Sequence, residues 1–414
     1  MPDARIPNDD EIRWLTERAV AEIIPRDDFV RALKSGKSLR LKMGFDPSAP
    51  DLTIGHAVGL RKLRQLQDFG HRVVIIVGDW TAQIGDPSGQ SKTRPMLSAE
   101  QVKANAETYL RQFFNIVDRE RAEVRWQTEW FGEFGLSDVV RLAAQFTVAQ
   151  MLERADFADR FASHKPVGVH ELLYPMLQGY DSVAVQSDVE FGGTDQKFNL
   201  MVGRELQQHF GQTPQIVFTV PLLVGTDGEV KMSKSLGNYV AVEDPPREMY
   251  GKIMSTPDHM IADYFELLTD LPDDEVAEIR RSVLEHTANP RDAKMRLARE
   301  IVTQFHSLTA AGESEEQFVR TFSKRELPEE LPEAQMSFRG ALAEAPAEDG
   351  AVRLPWLLTR LNLAASMSEA TRLVRQRAIE IDGQVADSPH ALLRDGMVIR
   401  VGKHRFLRVL NSDS

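Results

Sequence analysis

The hydrophobic and polar pattern near the start of the chain predicts a strand, a helix and a second strand. Residues 41–48 (LKMGFDPS) form a short apolar run that ends at an Asp-Pro pair, which cannot continue a strand or enter a helix interior. Leucines then recur at helical spacing from Leu60 to Leu66, and Gly70 supplies a stop signal. The continuous apolar run at 73–77 is typical of a strand buried on both faces of a parallel sheet. These elements predict a βαβ unit.

Beyond this unit the pattern predicts more helices and one more buried strand. Residues 98–161 are mostly helical in character, and the apolar run at 215–225 predicts a late strand that leads directly into a polar loop. Residues 244–306 are again helical, with Asn289 suited to an N-cap and Pro290 to the first turn. The order of elements indicates an α/β region followed by a helical region.

The end of the chain differs in composition from the rest. Residues 326–351 are rich in Pro, Ala and Glu, with Arg339 as the one basic residue, which is typical of a linker. From 352 to 410, helical patterning is followed by short strands around two Asp-Gly turns. We therefore expect a small α+β domain after a linker.

Composition narrows the class of protein. The chain has 414 residues with 42% hydrophobic and 27% charged residues, which are ordinary globular values. No apolar run approaches the length of a membrane helix and the first residues are polar, so a cytoplasmic protein without membrane contact is expected. With no cysteine, disulfides, zinc-thiolate sites and cysteine nucleophiles are excluded. The ten histidines show no metal-ligand spacing, so no metal site is expected.

The net charge of −12 argues against indiscriminate nucleic-acid binding, but the C-terminal region has the opposite sign. Residues 352–410 contain ten Lys/Arg and five Asp/Glu. Arg372, Arg375 and Arg377 are spaced so that they share overlapping faces of a predicted helix and could contact RNA phosphates. The alternative is an exposed helix face without a ligand.

A second basic feature is the loop that follows the late strand. Residues 223–238 read LVGTDGEVKMSKSLGN and place Lys231 and Lys234 between glycines. Such a loop could bind an anionic ligand. Two lysines alone would be better explained as a solvated loop.

Two motifs carry a family resemblance. GFDPSAPDLTIGH (44–56) resembles the first signature of the class I aminoacyl-tRNA synthetases, and KMSKS (231–235) is a complete copy of the second. Nearly the whole chain resembles the bacterial-type tyrosyl-tRNA synthetases within this class. The resemblance implies an enzyme that activates L-tyrosine with ATP and Mg²⁺ and transfers it to the 3′ end of tRNA(Tyr). It also implies a homodimer formed through a helical insertion.

The resemblance assigns a role to each predicted region. Residues 1–238 would be a Rossmann-like parallel-sheet catalytic domain with a helical insertion, and 239–325 a helical anticodon-side domain. Residues 326–351 would be a linker, and 352–414 an RNA-binding domain similar to a module of a ribosomal small-subunit protein. The expected fold class is therefore α/β with two smaller domains attached.

The chemistry of adenylate formation suits the two signatures. A carboxylate attacks the α-phosphate of ATP while pyrophosphate departs, and cations that meet the growing charge lower the barrier. Lys231 and Lys234 could do so, Gly55 would allow close approach of the nucleotide, and His56 would add a donor. Taken alone, His56 would be better explained as a surface or helix-capping residue. The resemblance implies further ATP-binding or catalytic residues: Asp46, Ser48, Thr53, Gly193, Asp195 and Met232.

Amino-acid selection is expected on the segment 170–199. Tyr174, Gln178 and Asp181 recur at four- and three-residue steps, which puts them on one face of a helix. The resemblance implies that Tyr174 and Gln178 hold the substrate ammonium and that Asp181 accepts the phenol hydroxyl. It also implies that Asp86 meets the ammonium, Asp195 the ribose and Gln196 the substrate carboxylate. Any one of these aspartates alone would more often be a cap or a solvated turn residue.

Four positions depart from the family pattern. Thr53 replaces the first histidine of HIGH, Ser48 a threonine, and Gln90 a basic residue, although Lys92 and Arg94 stand nearby. Lys42 lies where a tyrosine would help hold the substrate hydroxyl, so the second partner of that hydroxyl stays open.

Two other functions remain possible from the sequence. Tryptophan specificity on the same fold is disfavoured by Asp181, because a phenol donor needs an acceptor at that depth. A non-catalytic RNA-binding paralogue should have lost part of GFDP, GGTDQ or KMSKS, and all three are present.

Overall fold

The computed structural model describes residues 4–47, 51–86, 98–323, 331–402 and 405–413. The chain forms two compact units, Met1–Ser314 and Glu315–Ser414.

The strands fall into two groups along the chain. Those of the first unit are β1 (Glu22–Ile24), β2 (Arg40–Phe45), β3 (Arg72–Val77), β4 (Ala122–Trp126), β5 (Val189–Gly193) and β6 (Ile216–Val220). Those of the second unit are β7 (Glu333–Met336), β8 (Val352–Arg353), β9 (Ile379–Ile381), β10 (Gln384–Val385), β11 (His390–Ala391), β12 (Met397–Val401) and β13 (Arg405–Asn411).

Helices make up most of the first unit. They are α1 (Asp9–Glu17), α2 (Arg26–Lys34), α3 (Ile54–Asp68), α4 (Thr81–Ile84), α5 (Ala99–Phe113), α6 (Thr128–Phe131), α7 (Leu136–Ala143), α8 (Val148–Met151), α9 (Ala155–Ala162), α10 (Val169–Val185), α11 (Lys197–His209), α12 (Pro246–Met254), α13 (Ile261–Leu268), α14 (Asp273–Leu284) and α15 (Pro290–Phe305). Helix α16 (Leu308–Phe318) crosses the boundary between the units, and α17 (Phe338–Glu344), α18 (Leu354–Arg360) and α19 (Met367–Arg375) follow. Within the described residues, we find no helix with the length and apolar character needed to span a membrane.

The six-stranded sheet of the first unit determines where a ligand can bind. Its strand order is β1-β6-β5-β2-β3-β4, with β1 antiparallel and the other strands parallel. From β2, the strands β3 and β4 follow on one side of the sheet, whereas β5 and β6 follow on the other. The strand order therefore reverses between the neighbouring strands β2 and β5. In open α/β sheets, ligands bind beyond the carboxyl ends of the strands at such a reversal. Asp46 follows β2 and the GGTDQ motif begins in β5. Both therefore lie at the carboxyl ends of these neighbouring strands, beside the crevice.

The predicted βαβ unit is confirmed as β2, α3 and β3. Val73, Val74 and Ile76 are fully buried, as the continuous apolar run predicted. The mostly helical interpretation of residues 98–161 missed β4, which lies at the sheet edge parallel to β3. Every residue of β4 is only partly buried, so this short edge strand has neither an apolar run nor clean alternation.

The second unit has a five-stranded sheet of order β10-β9-β12-β13-β7. Its helices α18 and α19 and its strands agree with the predicted α+β pattern. The described part of the expected linker, residues 331–351, is folded: β7 pairs in parallel with β13, and Ala341 of α17 belongs to the hydrophobic core. Much of that segment is therefore part of the C-terminal unit. The division of the first unit at residue 238 stays a prediction.

Candidate active site

Backbone hydrogen bonds join the end of the first signature segment to the residues that follow the second. Ile54 N donates to Val240 O at 2.9 Å, and Val242 N donates to Leu52 O at 2.9 Å. These bonds place the first turn of α3 beside the chain that leaves the lysine loop, which we define as residues 223–238.

The lysine loop is a hairpin packed on the start of α3. Met232 is buried, and a Cβ added at Gly55 would lie 3.6 Å from Met232 Cβ. Met232 N donates to Leu223 O at 2.8 Å, and Asn238 Oδ1 accepts from Ser233 N at 2.8 Å. The loop therefore faces the amide groups and positive dipole end of α3, where an anion is favoured.

His56 caps α3 and keeps a second nitrogen for a ligand. Thr53 N donates to His56 Nδ1 at 3.1 Å. Burial, together with the positive charges of Lys234 and Lys231, lowers the pKa of His56 to about 4. The imidazole is thus neutral at pH 7, and because Nδ1 accepts this bond the proton sits on Nε2. The capping interpretation is confirmed, and Nε2 is left as a donor.

Lys234 carries a buried charge without a hydrogen-bond partner in the described part of the chain. Its Nζ is inaccessible to solvent and makes no hydrogen bond there; it lies 5.4 Å from the ring centroid of Tyr109. Burial lowers the pKa of Lys234 to about 8, so the ammonium form still predominates at pH 7. An unsatisfied buried donor is costly, and an anionic ligand would satisfy it.

Asp195 and Gly193 stand at the carboxyl end of β5. Lys231 Nζ donates to Asp195 Oδ2 in an ion pair, which ties GGTDQ to the lysine loop. A Cβ added at Gly193 would lie 2.6 Å from Leu222 Cδ2 and 2.8 Å from Asp195 Oδ1, so a larger residue would displace this carboxylate. The expected ribose contact of Asp195 remains a prediction.

Asp46, expected at the nucleotide, is held by the helix expected to bind tyrosine. Tyr174 Oη donates to Asp46 Oδ2 at 2.8 Å, and Thr81 Oγ1 donates to Asp46 Oδ1 at 2.6 Å. Burial and the carboxylates of Asp46 and Asp86 raise the pKa of the Tyr174 hydroxyl well above its ordinary value, so it remains a donor. The residues expected to bind the nucleotide and those expected to bind the amino acid are therefore adjacent.

Three residues expected around the substrate ammonium or carboxylate form one hydrogen-bonded group. Gln196 Nε2 donates to Asp86 Oδ2 at 2.8 Å. Asn199 Nδ2 donates to Gln178 Oε1 at 2.9 Å and to Gln196 Oε1 at 3.1 Å. Arg154, which is buried, donates to Asn199 Oδ1 at 3.0 Å and lies 3.5 Å from Asp86 Oδ1. The group offers carboxylate and amide oxygens to a cation.

Asp181 is buried deep in the same crevice. Gln127 Nε2 donates to Asp181 Oδ2 at 2.9 Å, and Trp130 Nε1 donates to Oδ1 at 3.1 Å. Burial raises the pKa of Asp181 to about 7, although the positive charge of Lys42 acts in the opposite direction. The expected contact of this carboxylate with a substrate hydroxyl stays a prediction.

Sequence reasoning missed several polar residues that hold the expected ones. They are Arg154 and Asn199 beside Asp86, and Gln127 and Trp130 at Asp181. Gln127 and Trp130 follow the overlooked strand β4, so no sequence pattern indicates that they lie at this end of the sheet. Arg154 lies in the helical region with no periodic signal that separates it from surface arginines.

Some predicted residues fall in the gaps between the described ranges. Ser48 lies outside the described residues, as do Gln90, Lys92 and Arg94.

The predicted tRNA-binding arginines lie in the second unit. Arg372 and Arg375 are on α19, and Arg377 is exposed just after it with a φ of 54°. Arg372 and Arg375 also line a shallow surface depression of about 460 Å³. Their positions are compatible with contact to an extended anion, and the role stays a prediction.

Two family models match the chain. Residues 34–323 match the model for tRNA synthetases class I (W and Y), and residues 352–399 match the S4 domain model. The first match covers the six-stranded sheet from β2 onward and both signature segments.

Relatives with assigned names align over nearly the whole chain. A tyrosine–tRNA ligase of Dehalococcoides mccartyi is 55% identical over 403 residues, covering 97% of this chain and 99% of the relative. One from Thermotoga maritima is 48% identical over 402 residues and covers 97% of each. Among solved structures, a tyrosyl-tRNA synthetase from Archaeoglobus fulgidus complexed with L-tyrosine has a TM-score of 0.60 at 22% identity. It covers 74% of this chain and 99% of its own, which supports the fold.

Proposed function

The chain belongs to the class I tRNA synthetase family for tryptophan and tyrosine, and from this membership we propose how its site acts as an ATP-dependent tyrosine–tRNA ligase. The enzyme activates L-tyrosine with ATP and transfers the tyrosyl group to the 3′ end of tRNA(Tyr). The observation that carries tyrosine rather than tryptophan is Asp181, a buried acceptor fixed by two donors within the crevice. A phenol hydroxyl can donate to that carboxylate, and it satisfies the carboxylate without leaving a buried polar group unpaired.

Adenylate formation uses the nucleotide part of the crevice. ATP enters as its magnesium complex, and a carboxylate oxygen of tyrosine attacks the α-phosphorus. The bond from that phosphorus to the bridging oxygen breaks, and pyrophosphate leaves with the electron pair. Lys234 Nζ, Lys231 and His56 Nε2 supply positive charge and a donor where negative charge grows. In the free enzyme Lys231 is paired with Asp195, so we expect it to exchange this partner for phosphate oxygens.

Substrate selection uses the amino-acid part. The oxygens of Asp86, Gln178 and Gln196 lie in one hydrogen-bonded group suited to the substrate ammonium and its neighbourhood. Asp181 would accept the phenol hydroxyl, with Gln127 and Trp130 fixing the carboxylate. Only an amino acid that satisfies both ends of the pocket is well bound.

The test of this function is ATP–pyrophosphate exchange with each of the twenty amino acids. We expect exchange with tyrosine alone. Exchange with tryptophan instead would establish the other specificity of the family, and a folded chain inactive with every amino acid would favour the non-catalytic paralogue.

The pKa of Asp181 predicts how selectivity depends on pH. An ionised carboxylate accepts the phenol hydroxyl, whereas phenylalanine leaves the buried charge unsatisfied and binds better to the neutral acid. Since this pKa is raised to about 7, the ratio of kcat/KM for tyrosine to that for phenylalanine should increase from pH 6 to pH 8. Exchange kinetics with both amino acids at each pH measure it. A ratio that is constant from pH 6 to pH 8 would show that ionisation of Asp181 does not affect the selection between the two amino acids.

A homodimer formed through the helical insertion is part of the proposal. The insertion is the helical segment between β4 and β5, which carries large exposed apolar side chains: Leu136 (81% exposed), Val140 (59%), Val148 (63%), Phe161 (64%) and, at the start of α10, Val169 (79%). Large apolar surface patches commonly mark protein interfaces, and we propose that these side chains form one. Sedimentation equilibrium tests this, since a dimer has twice the 46.7 kDa mass of the chain. We further propose that the enzyme works in the cytoplasm, where its tRNA substrate is used.

The S4 domain is proposed to bind the tRNA backbone through these arginines. Replacing Arg372, Arg375 and Arg377 together by alanine should weaken tRNA binding and lower the slope of log affinity against log salt by about one for each phosphate that is no longer bound. Tyrosine-dependent pyrophosphate exchange is the control and should be unchanged, because the adenylation residues all precede Tyr239. An unchanged salt slope would assign these arginines to a solvated face.

A shortened chain is a less suitable test of the same proposal. Ending the chain near Gly350 would retain β7 and α17 without the sheet and core on which they pack. The arginine variants avoid this, because none of the three side chains is buried in the core.

A further inference from the structure

Lys42 and Glu190 form a fully buried ion pair beneath the proposed tyrosine pocket. Lys42 lies on β2 and Glu190 on the adjacent strand β5, and their side chains are 0% and 1% exposed. Lys42 Nζ lies 2.8 Å from Glu190 Oε1. Charged side chains are rarely buried to this degree unless they are paired, and a buried pair is not by itself a source of stability. The position therefore calls for a functional explanation.

All three N–H donors of the Lys42 ammonium have acceptors, and two of these acceptors lie on α10. Besides Glu190, Nζ donates to Gln178 O at 2.9 Å and to Ser182 Oγ at 2.8 Å. These two residues stand on either side of Asp181 along the same helix. Lys42 thus connects the turn of α10 that carries Asp181 to the sheet.

Glu190 determines which way the amide of Gln178 points. Gln178 Nε2 donates to Glu190 Oε1 at 3.3 Å, so the amide oxygen points toward Asn199, which donates to it at 2.9 Å. The other carboxylate oxygen accepts from Ser182 Oγ at 3.0 Å and from Gln215 Nε2. Without an acceptor at 190 the amide could rotate and present its NH₂ group, which repels an ammonium.

We propose that Lys42 and Glu190 are a positioning pair for tyrosine selection: they orient the Gln178 amide toward the substrate ammonium and fix and electrostatically bias Asp181. Neither residue contacts the substrate. The proposal rests on the proposed function. It extends that function to two residues that would not be found by asking which side chains contact the substrate. It also explains how a chain with lysine in place of the usual tyrosine supports the hydroxyl-binding carboxylate.

The two partners have opposite electrostatic effects on Asp181. The groups that act on this carboxylate are Lys42 from β2, which lowers its pKa, Glu190 from β5, which raises it, and the neutral Gln127 and Trp130, which donate to it. Loss of Lys42 should therefore raise the pKa of Asp181, and loss of Glu190 should lower it. An ion pair that stabilised the fold without acting on Asp181 would not give these opposite shifts, whatever its effect on the unfolding temperature.

The experiment compares Lys42→Met, Glu190→Gln and the double variant in the full-length chain. The Trp130 indole N–H contacts Asp181, so its NMR signal in ¹⁵N-tryptophan-labelled protein, assigned with Trp130→Phe, reports ionisation of Asp181 without substrate. We expect the midpoint of its pH titration to move upward in Lys42→Met and downward in Glu190→Gln. The midpoint of the tyrosine-to-phenylalanine ratio should move in the same directions, and KM for tyrosine should rise about tenfold or more in both single variants.

The matched control is the equally buried pair Arg160–Glu171, whose Glu171 lies on the same helix and whose side chains are 4% and 2% exposed. Glu171→Gln should lower the unfolding temperature and leave the Trp130 midpoint unchanged. Midpoint shifts of the same sign in both single variants, or shifts equal to those in Glu171→Gln, would overturn the proposal.

Unfolding measurements and the NMR titration test this inference independently of the proposed function. Removing one member leaves a buried charge unpaired, so each single variant should melt at a lower temperature, and the double variant should lose less than the sum of the two. If the unsubstituted chain failed to activate tyrosine, the proposed function would fall, whereas the NMR titration and the unfolding cycle would still judge the pair. If the double variant regained both its melting temperature and the unsubstituted KM for tyrosine, the pair would be structural only.

Discussion

Lys234→Ala is expected to slow tyrosyl-adenylate formation by about a hundredfold or more, the usual loss when one donor to a transition-state charge is removed. Lys234 Nζ is buried in the free enzyme without a hydrogen-bond partner among the described residues, and its pKa is lowered to about 8 by burial. Such a group interacts weakly before the reaction and strongly when pyrophosphate carries the developing charge. The loss should therefore appear in the rate of the chemical step, and tyrosine affinity should change little.

The same substitution makes an unusual prediction for stability. Because the free enzyme holds an unsatisfied buried ammonium at this position, alanine should leave the unfolding temperature unchanged or raise it. Single-turnover kinetics and thermal unfolding of the same preparation measure the two effects. Lys37→Ala is the control, since Lys37 forms an exposed ion pair with Asp188 at the opposite end of the sheet. Equal losses in adenylate formation and tyrosine binding would indicate a disrupted loop instead.

Asp181→Ala is expected to reduce tyrosine activation by about tenfold to two-hundredfold. The substitution removes the acceptor of the phenol hydroxyl, and a hydrogen bond to a charged group is worth about 1.5–3 kcal/mol. It also leaves Gln127 Nε2 and Trp130 Nε1 without the carboxylate that they contact. Phenylalanine makes no use of the acceptor, so its activation should stay constant or increase.

Phenylalanine is thus the internal control for Asp181→Ala, and pyrophosphate exchange with both amino acids is the measurement. The ratio of tyrosine activation to phenylalanine activation should decrease, because the activation of tyrosine falls. A parallel fall for both would mean that the variant damages the pocket as a whole, and unchanged tyrosine activation would remove Asp181 from the site.

The sequence predicted those parts of the site that depend on local spacing. Tyr174, Gln178 and Asp181 share a face of α10 because the helical repeat brings them together, and that needs no knowledge of the rest of the chain. The βαβ unit was equally local, since a continuous apolar run identifies β3 as buried on both faces.

What the sequence could not predict depends on contacts between distant segments. Gln127 and Trp130 reach Asp181 only because β4 adds to the sheet edge, and β4 is too short and too partly buried to give a pattern. The composition around β7 predicts a linker, because the pairing of β7 with β13 joins residues far apart along the chain. Lys42 would be expected at a surface or in contact with substrate, and only the sheet places Glu190 beside it.

Joining tyrosine to tRNA(Tyr) is the function that requires both the adenylation site and tRNA binding. It is measured by aminoacylation of tRNA(Tyr) with the purified full-length chain, with ATP and each amino acid supplied in turn and the 3′-esterified product identified. We predict tyrosyl-tRNA, formed only when tyrosine, ATP and Mg²⁺ are all present. A folded chain that charges tRNA with another amino acid, or that forms no tyrosyl-tRNA under these conditions, would contradict this function.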